Sequence, residues 1–344
     1  MIKHILLFGD SAGISLTLKA LPQKKVCGIV AAEIRPQYFE LLRNIATEYS
    51  VPFLIQPRPS SPNYAEFVEQ VRLLSPDLII VNSYSLLIRS DILAIPAFGA
   101  VNIHGALLPQ YRGSNPTQWA LLNNEVETGV TMHYMDAQFD TGDIIVQRRV
   151  PIYFDDTWCD IQKRIGVATE AMLDDELPDL LNKSIFREPQ DESIANYYRR
   201  RHPEDGQINW ELNVLHIYNL IRALVKPHPG AFYIQNGKKI TIDKYLSVSE
   251  VINMKYGMPG GQLLKFRSIH LEPRDSQAQN NPLLFDVYDS VKEKLIGNCG
   301  LVEIDWKKKV ASVQISVENH IKQNDLFFIL EDFAKQQLEL VVMR

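Results

Sequence analysis

Five short runs of branched apolar residues punctuate the first hundred positions: HILLFG, VCGIVAA, VPFLIQ, PDLIIVNS and GAVNIH. Between them the apolar positions recur at helical spacing. PQYFELLRNIATEYS places Tyr38, Leu41, Leu42, Ile45 and Tyr49 on one stripe, and YAEFVEQVRLL does the same with Phe67, Val71 and Leu74. Runs of this kind are buried on both faces, and their alternation with amphipathic helices predicts a parallel sheet covered by helices.

Further along, TGVTMHYMD and DIIVQRRVPI read as two strands separated by the loop AQFDTG, followed by a long helix from about Thr157 to Leu181. The polar, turn-rich YYRRRHPEDGQINW then leads into a second helical run, ELNVLHIYNLIRALV, which PHPGAF stops. From Ala231 short strand-like runs dominate, among them AFYIQ, KKITIDKYLSV, LLFDVYD and VASVQISV, and a final helix is expected from Asp325 to Leu338. The expected class is α/β: a Rossmann-like, mostly parallel sheet flanked by helices, with a smaller β-rich C-terminal domain. The expected boundaries are a catalytic domain over 1–195, a linker and helix over 196–245, and an accessory domain over 246–344.

Composition narrows the class. Of 344 residues 46 % are hydrophobic and 22 % charged, as in folded globular chains, and the length suits two domains. A net charge of −5 disfavours a nucleic-acid partner. Cys27, Cys159 and Cys299 form no CxxC pair, so neither a disulfide framework nor a zinc cluster is expected, and a reducing cytoplasm fits. The first apolar run is too short to span a membrane and reads as a buried strand. GDSAG follows that strand, but it lacks the GxGxxG spacing of a dinucleotide loop.

The chemistry concentrates in VNIHGALLPQYRG. Side chains two apart on a strand share a face, so Asn102 and His104 point together from a strand end into a loop punctuated by Gly and Pro. Asp140 lies in the loop between the next two strands. An amide donor, a proton carrier and an anion are the equipment for moving an acyl group onto an amine. Asn102 would polarise the carbonyl, and Asp140 would poise His104 to shuttle a proton. Pro109 and Gly113 fix a tight path for the loop beside Tyr111 and Arg112. Arg112 either meets a carboxylate or phosphate or braces the loop.

NIHGALLPQYRGSNPTQWALLN followed by ETGVTMHYMDAQFDTGDIIVQ resembles the signature of the 10-formyltetrahydrofolate-dependent formyltransferases. The family's catalytic Asn, His and Asp fall on Asn102, His104 and Asp140. The resemblance implies 10-formyltetrahydrofolate as formyl donor and no metal. The folate would lie against Leu86, Leu87 and Ile88 and against Asp136, Ala137, Gln138 and Phe139. The loop bearing Pro109, Tyr111, Arg112 and Gly113 is similar to the family's substrate-side loop. RRRHPEDGQINW and ALVKPHPGAFYI extend the likeness to about residue 245, toward methionyl-tRNA and sugar-nucleotide formyltransferases.

The tRNA enzyme carries a basic, Gly-rich loop after its second strand, whereas VAAEIRPQYFELLR runs straight into a helix here. A glycinamide ribonucleotide formyltransferase is a compact single domain with LLPKYPG in the loop, and formyltetrahydrofolate hydrolase adds a regulatory domain ahead of the catalytic one. The expected acceptor is therefore the amine of a nucleotide-linked amino sugar, as used in lipopolysaccharide or O-antigen biosynthesis. The alternatives are the tRNA enzyme, the hydrolase and a folate-binding scaffold without turnover. The stretch from Leu283 to Val317 is faintly similar to the central strands of GNAT-type acetyltransferases, but the following NHIKQN contains no glycine, so coenzyme A binding is not expected. The C-terminal region is expected to pack, to form a homodimer or to shape the acceptor site. Trp306 reads as a packed aromatic and Lys307 to Lys309 as a solvated face.

Overall fold

In the computed structural model the described residues are 2–11, 13–182, 187–257, 264–266, 269–273, 283–289, 294–317 and 323–343. They divide into two compact units. The first comprises 1–120, 127–152 and 160–201, and the second 121–126, 153–159 and 202–344.

The first unit is built on a seven-stranded sheet. Its strands are β1 (Ile5–Phe8), β2 (Val26–Ala32), β3 (Phe53–Gln56), β4 (Leu78–Asn82) and β5 (Ala100–His104), with β7 (Glu127–Tyr134) and β8 (Ile144–Pro151) at the far edge. A two-residue strand, β6 (Arg112–Gly113), lies outside this sheet. The order is β3-β2-β1-β4-β5-β7-β8, parallel as far as β5 and antiparallel beyond. Every residue of β1 and β4 is buried, which is why their sequences show apolar runs without alternation. The connecting helices are α1 (Ile14–Ala20), α2 (Phe39–Glu48), α3 (Tyr64–Leu73) and the single turn α4 (Ser90–Leu93). Leu6, Phe8, Val30, Phe67, Val71, Ile79 and Val81 share one core with Ile88.

Helix α2 departs from the expected stripe. Leu42 and Ala46 are its buried residues, while Leu41 faces solvent. One position along a helix turns a side chain by about 100°, so the sheet accepts only one of two adjacent leucines. The long helix α6 (Trp158–Asn182) matches its expected span, preceded by α5 (Pro116–Leu122).

The second unit contains α7 (Val214–Ala223), the hairpin β10 (Ala231–Gln235) and β11 (Lys238–Ile242), and α8 (Val248–Gly257). β9 (Tyr197–Tyr198) belongs to the first unit, where it pairs with β6. Among the described residues a six-stranded sheet follows, β12 (Leu264–Phe266), β13 (Ile269–Pro273), β14 (Leu283–Asp289), β15 (Lys294–Asp305), β16 (Val310–Val317) and β17 (Val341–Met343). Helix α9 (Gln323–Leu338) joins β16 to β17, which are parallel. Side chains from α7, β10, β11 and α8 share one core with those of β14, β15, β16 and α9, so residues 214–252 pack as part of this domain. α8 occupies a stretch that begins within the strand expected over KKITIDKYLSV. Ser247 caps it: its N–H and hydroxyl donate to Glu250, and its oxygen accepts from the Glu250 N–H, a capping box. Trp306 stacks on Phe154 and Lys307 to Lys309 are exposed. Of NHIKQN, residues 319–322 lie outside the described residues.

Candidate active site

β5 delivers Asn102 and His104 to its carboxyl end, where open α/β sheets hold ligands. Its antiparallel neighbour sets His133 opposite Asn102 and Thr131 opposite His104. Asp140 enters from the β7–β8 loop in the left-handed region, with φ of 57°. Gly142 makes that turn possible, because a Cβ there would collide with the Tyr134 carbonyl.

The carboxylate of Asp140 is the hub. Its Oδ1 accepts from the Asn102 amide at 3.3 Å, and its Oδ2 accepts the Gly113 N–H at 2.8 Å. His104 Nδ1 lies 3.7 Å from Oδ2 and His133 Nε2 lies 3.5 Å from Oδ1. Burial by itself would push this carboxyl up. The charge of His104 and the Gly113 N–H act against it, and Asp140 is held well below the usual carboxylate range.

Bonding partners assign the two imidazoles. His104 Nε2 is 2.8 Å from the Tyr111 carbonyl, which can only accept, so Nε2 carries a hydrogen and Nδ1 is the nitrogen left to exchange a proton. His133 Nδ1 likewise donates to the Tyr134 carbonyl at 2.7 Å, and its Nε2 accepts from the Asn102 amide at 3.2 Å. His133 was not singled out from sequence. Its place opposite Asn102 comes from the register of two strands, which is a tertiary fact.

The loop after His104 is pinned from both sides. Thr131 Oγ1 donates to the Ala106 carbonyl at 2.6 Å and accepts the Leu108 N–H at 3.2 Å, while the Gln147 amide donates to the Leu108 carbonyl and to Thr131. Pro109 is buried, and its carbonyl accepts the Asn196 N–H. Tyr111, also at positive φ, stacks on Tyr198. Gly113 is at φ of 95°, against the Tyr198 carbonyl, with no room for a side chain.

Of the two readings of Arg112, the structure supports the brace. Its side chain is 0 % exposed, with Nε and Nη2 on Gln190, Nη1 and Nη2 on Glu192, and Nη1 on the Tyr197 hydroxyl. It is no free cation for an incoming phosphate.

Of the residues expected at the donor, Leu86 is half-buried, Leu87 is exposed with its carbonyl held by Gln56 at 3.0 Å, and Ile88 turns into the core. Only the first two can present a flat apolar surface. The segment is tethered by Asp10, whose carboxylate accepts the N–H groups of Ala32 and Ser85 at 2.9 and 2.6 Å. Burial raises its pKa, against the bonds that lower it. Across the site Asp136 accepts from Thr141 and from the Gln138 N–H, closing a loop on which Ala137, Gln138 and Phe139 are exposed. Among the described residues no group of three His, Cys, Asp or Glu side chains is arranged to hold a metal ion, and no helix is long and apolar enough to cross a membrane.

The fold and this constellation define an α/β protein equipped to polarise a carbonyl and move a proton beside it. The sequence pattern described as Formyl transferase matches residues 10–176, and that described as Formyl transferase, C-terminal domain, matches 201–268, together well over half of the chain. The chain belongs to the formyl transferase family, whose members are enzymes.

It is 35 % identical over 223 residues to the bifunctional polymyxin resistance protein ArnA of Wigglesworthia glossinidia brevipalpis, a match covering 65 % of this chain and 33 % of that protein. The chain thus spans about a third of the length of that relative. A sugar N-formyltransferase from Shewanella sp FDAARGOS_354 superposes with a TM-score of 0.58 at 21 % identity, covering 71 % of this chain and 98 % of that one. The N-formyltransferase from Helicobacter canadensis, solved with folinic acid and dTDP-3-aminofucose, gives 0.53 at 21 % identity over 70 % and 86 %. At these identities the likeness is one of fold.

Proposed function

We propose that this chain transfers the formyl group of 10-formyltetrahydrofolate to the amine of a nucleotide-linked amino sugar. The observation that carries the reading is the convergence of Asn102, His104 and Asp140 beside the end of β5, with the Asn102 amide hydrogen-bonded to Asp140 and His104 Nδ1 at 3.7 Å from the same carboxylate. The amine nitrogen attacks the formyl carbon and the bond from that carbon to the folate N10 breaks. The proton lost by the amine passes through His104 Nδ1 to N10, leaving a formamide and tetrahydrofolate. Asn102 exchanges its longer bond, that to Asp140, for the developing oxyanion, while His133 keeps the amide oriented. Leu86, Leu87 and the loop from Asp136 to Phe139 hold the pterin. The substrate side is the loop from Pro109 to Gly113, shaped by Tyr111 and braced by Arg112.

The acceptor class is supported by the relatives: the Helicobacter canadensis enzyme holds folinic acid and dTDP-3-aminofucose, and the 35 % identical relative is a polymyxin resistance protein. The test is incubation of the purified chain with 10-formyltetrahydrofolate and a panel of 3-amino and 4-amino nucleotide sugars, with methionyl-tRNA and water as controls, read by mass spectrometry. A formylated sugar is the expected product, and it is lost in His104→Ala with folding retained. Formylated tRNA would replace the acceptor, and formate from water alone would make the chain a hydrolase.

A further inference from the structure

We propose that Gln190 is a positioning residue of the transfer site: its amide holds the main chain of the Asp140 turn and so aims the Asp140 carboxylate at Asn102 and His104. The inference rests on the reading of Asp140 as part of that site.

Gln190 Nε2 donates to the carbonyls of Asp140 and Gly142, at 2.8 and 2.7 Å. A residue at positive φ turns its carbonyl out of regular pairing, and a polar group sheltered from water needs a partner. Gln190 supplies one donor to each side of the turn. Its own orientation is not free, because Oε1 accepts from both Nε and Nη2 of the buried Arg112, at 3.1 and 2.8 Å. Only the amide hydrogens are left to face the turn.

The segment carrying Gln190 is tied down on either side. Glu188 exchanges two backbone hydrogen bonds of 2.8 Å with Ile144, at the start of β8. Asn196 receives the Tyr111 N–H on its side chain at 2.6 Å, and β9 pairs with β6. Asp140 is therefore gripped at two points, its carboxylate by the Gly113 N–H and its carbonyl by Gln190, and both grips lead back to residues 112 and 113. The charged or titratable groups facing the carboxylate are His104 from β5 and His133 from β7. Arg112 reaches it only through Gln190, Glu192 is spent on Arg112, and Asp143 on the same loop pairs with Arg187 at 3.7 Å.

Gln190→Glu separates this role from a merely structural one. It keeps the acceptor for Arg112 and removes the two amide donors, whereas Gln190→Ala removes both. Each variant is compared with wild type in kcat, in KM for the formyl donor, and in the 13C titration of the Asp140 carboxyl, assigned through Asp140→Asn. The expected result is that Gln190→Glu loses on the order of 10-fold to 100-fold in kcat with donor KM unchanged, and that its Asp140 carboxyl titrates at higher pH than in wild type. A Gln190→Glu protein equal to wild type in kcat and in carboxyl titration would overturn the proposal, leaving Gln190 as a brace for Arg112 alone. If the wild-type chain formylates no acceptor, the transfer reading fails, and the carboxyl titration alone then decides whether Gln190 sets Asp140.

Discussion

Asn102 sits between two acceptors, His133 Nε2 and Asp140 Oδ1, and that arrangement makes its contribution measurable. Asn102→Ala is expected to lower kcat by roughly 10²–10³-fold, the usual cost of removing one oxyanion donor. A change in KM alone would contradict the role. Asp140 makes a prediction about stability as well as rate. A carboxyl whose pKa falls on folding stabilises the fold above its unfolded value, near ~3.9, and loses that contribution as pH drops through the folded value. Asp140 is held low, so wild type is expected to exceed Asp140→Asn in stability near neutral pH, with the gap closing as the pH falls below about 4. Urea unfolding across that range is the measurement. A constant gap would detach the carboxylate from its histidines.

At the scale of elements, the hairpin of β7 and β8 does more than extend the sheet. Inward residues of these two strands, Thr131 and Gln147, reach the backbone of the loop after His104 and satisfy it. Thr131→Val keeps the shape and removes the hydroxyl, leaving the Leu108 N–H and the Ala106 carbonyl without that partner. The expected loss is about 1–3 kcal/mol, the desolvation cost of unmet buried polar groups, read as a lower urea midpoint. An unchanged midpoint would show that water replaces the hydroxyl. Helix α8 gives the reverse lesson: the pattern S-x-x-E at Ser247 to Glu250 was legible as a helix start, and the β-branched residues around it drew the strand reading instead.

The chain divides into two compact units. In the second, Phe285 is fully buried and meets Phe333 edge-on at 5.4 Å. Phe285→Ala is expected to cost this unit about 3–5 kcal/mol through lost burial and a residual cavity. Trp306 fluorescence during urea unfolding reads the unit in which it lies, and an unmoved transition there would mean the cavity collapses without penalty.

The apolar runs determined the parallel strands, and the doublet Asn102 and His104 was legible because period two on a strand is a local property. The AQFDTG loop was legible as the connection between two strands, since the patterns on either side of it are local. What waited for the tertiary structure was everything that depends on register between distant segments. The pairing of Asn102 with His133 spans 31 residues, and the contact between Gln190 and Asp140 spans 50. The fate of Arg112 belongs with them: a loop arginine reads the same whether it awaits a phosphate or is already saturated. Only folding brings Gln190, Glu192 and Tyr197 around it, because burying a guanidinium is tolerable only where its donors are met. Side-chain periodicity is written along the chain, and the partner of a buried polar group is written in the fold.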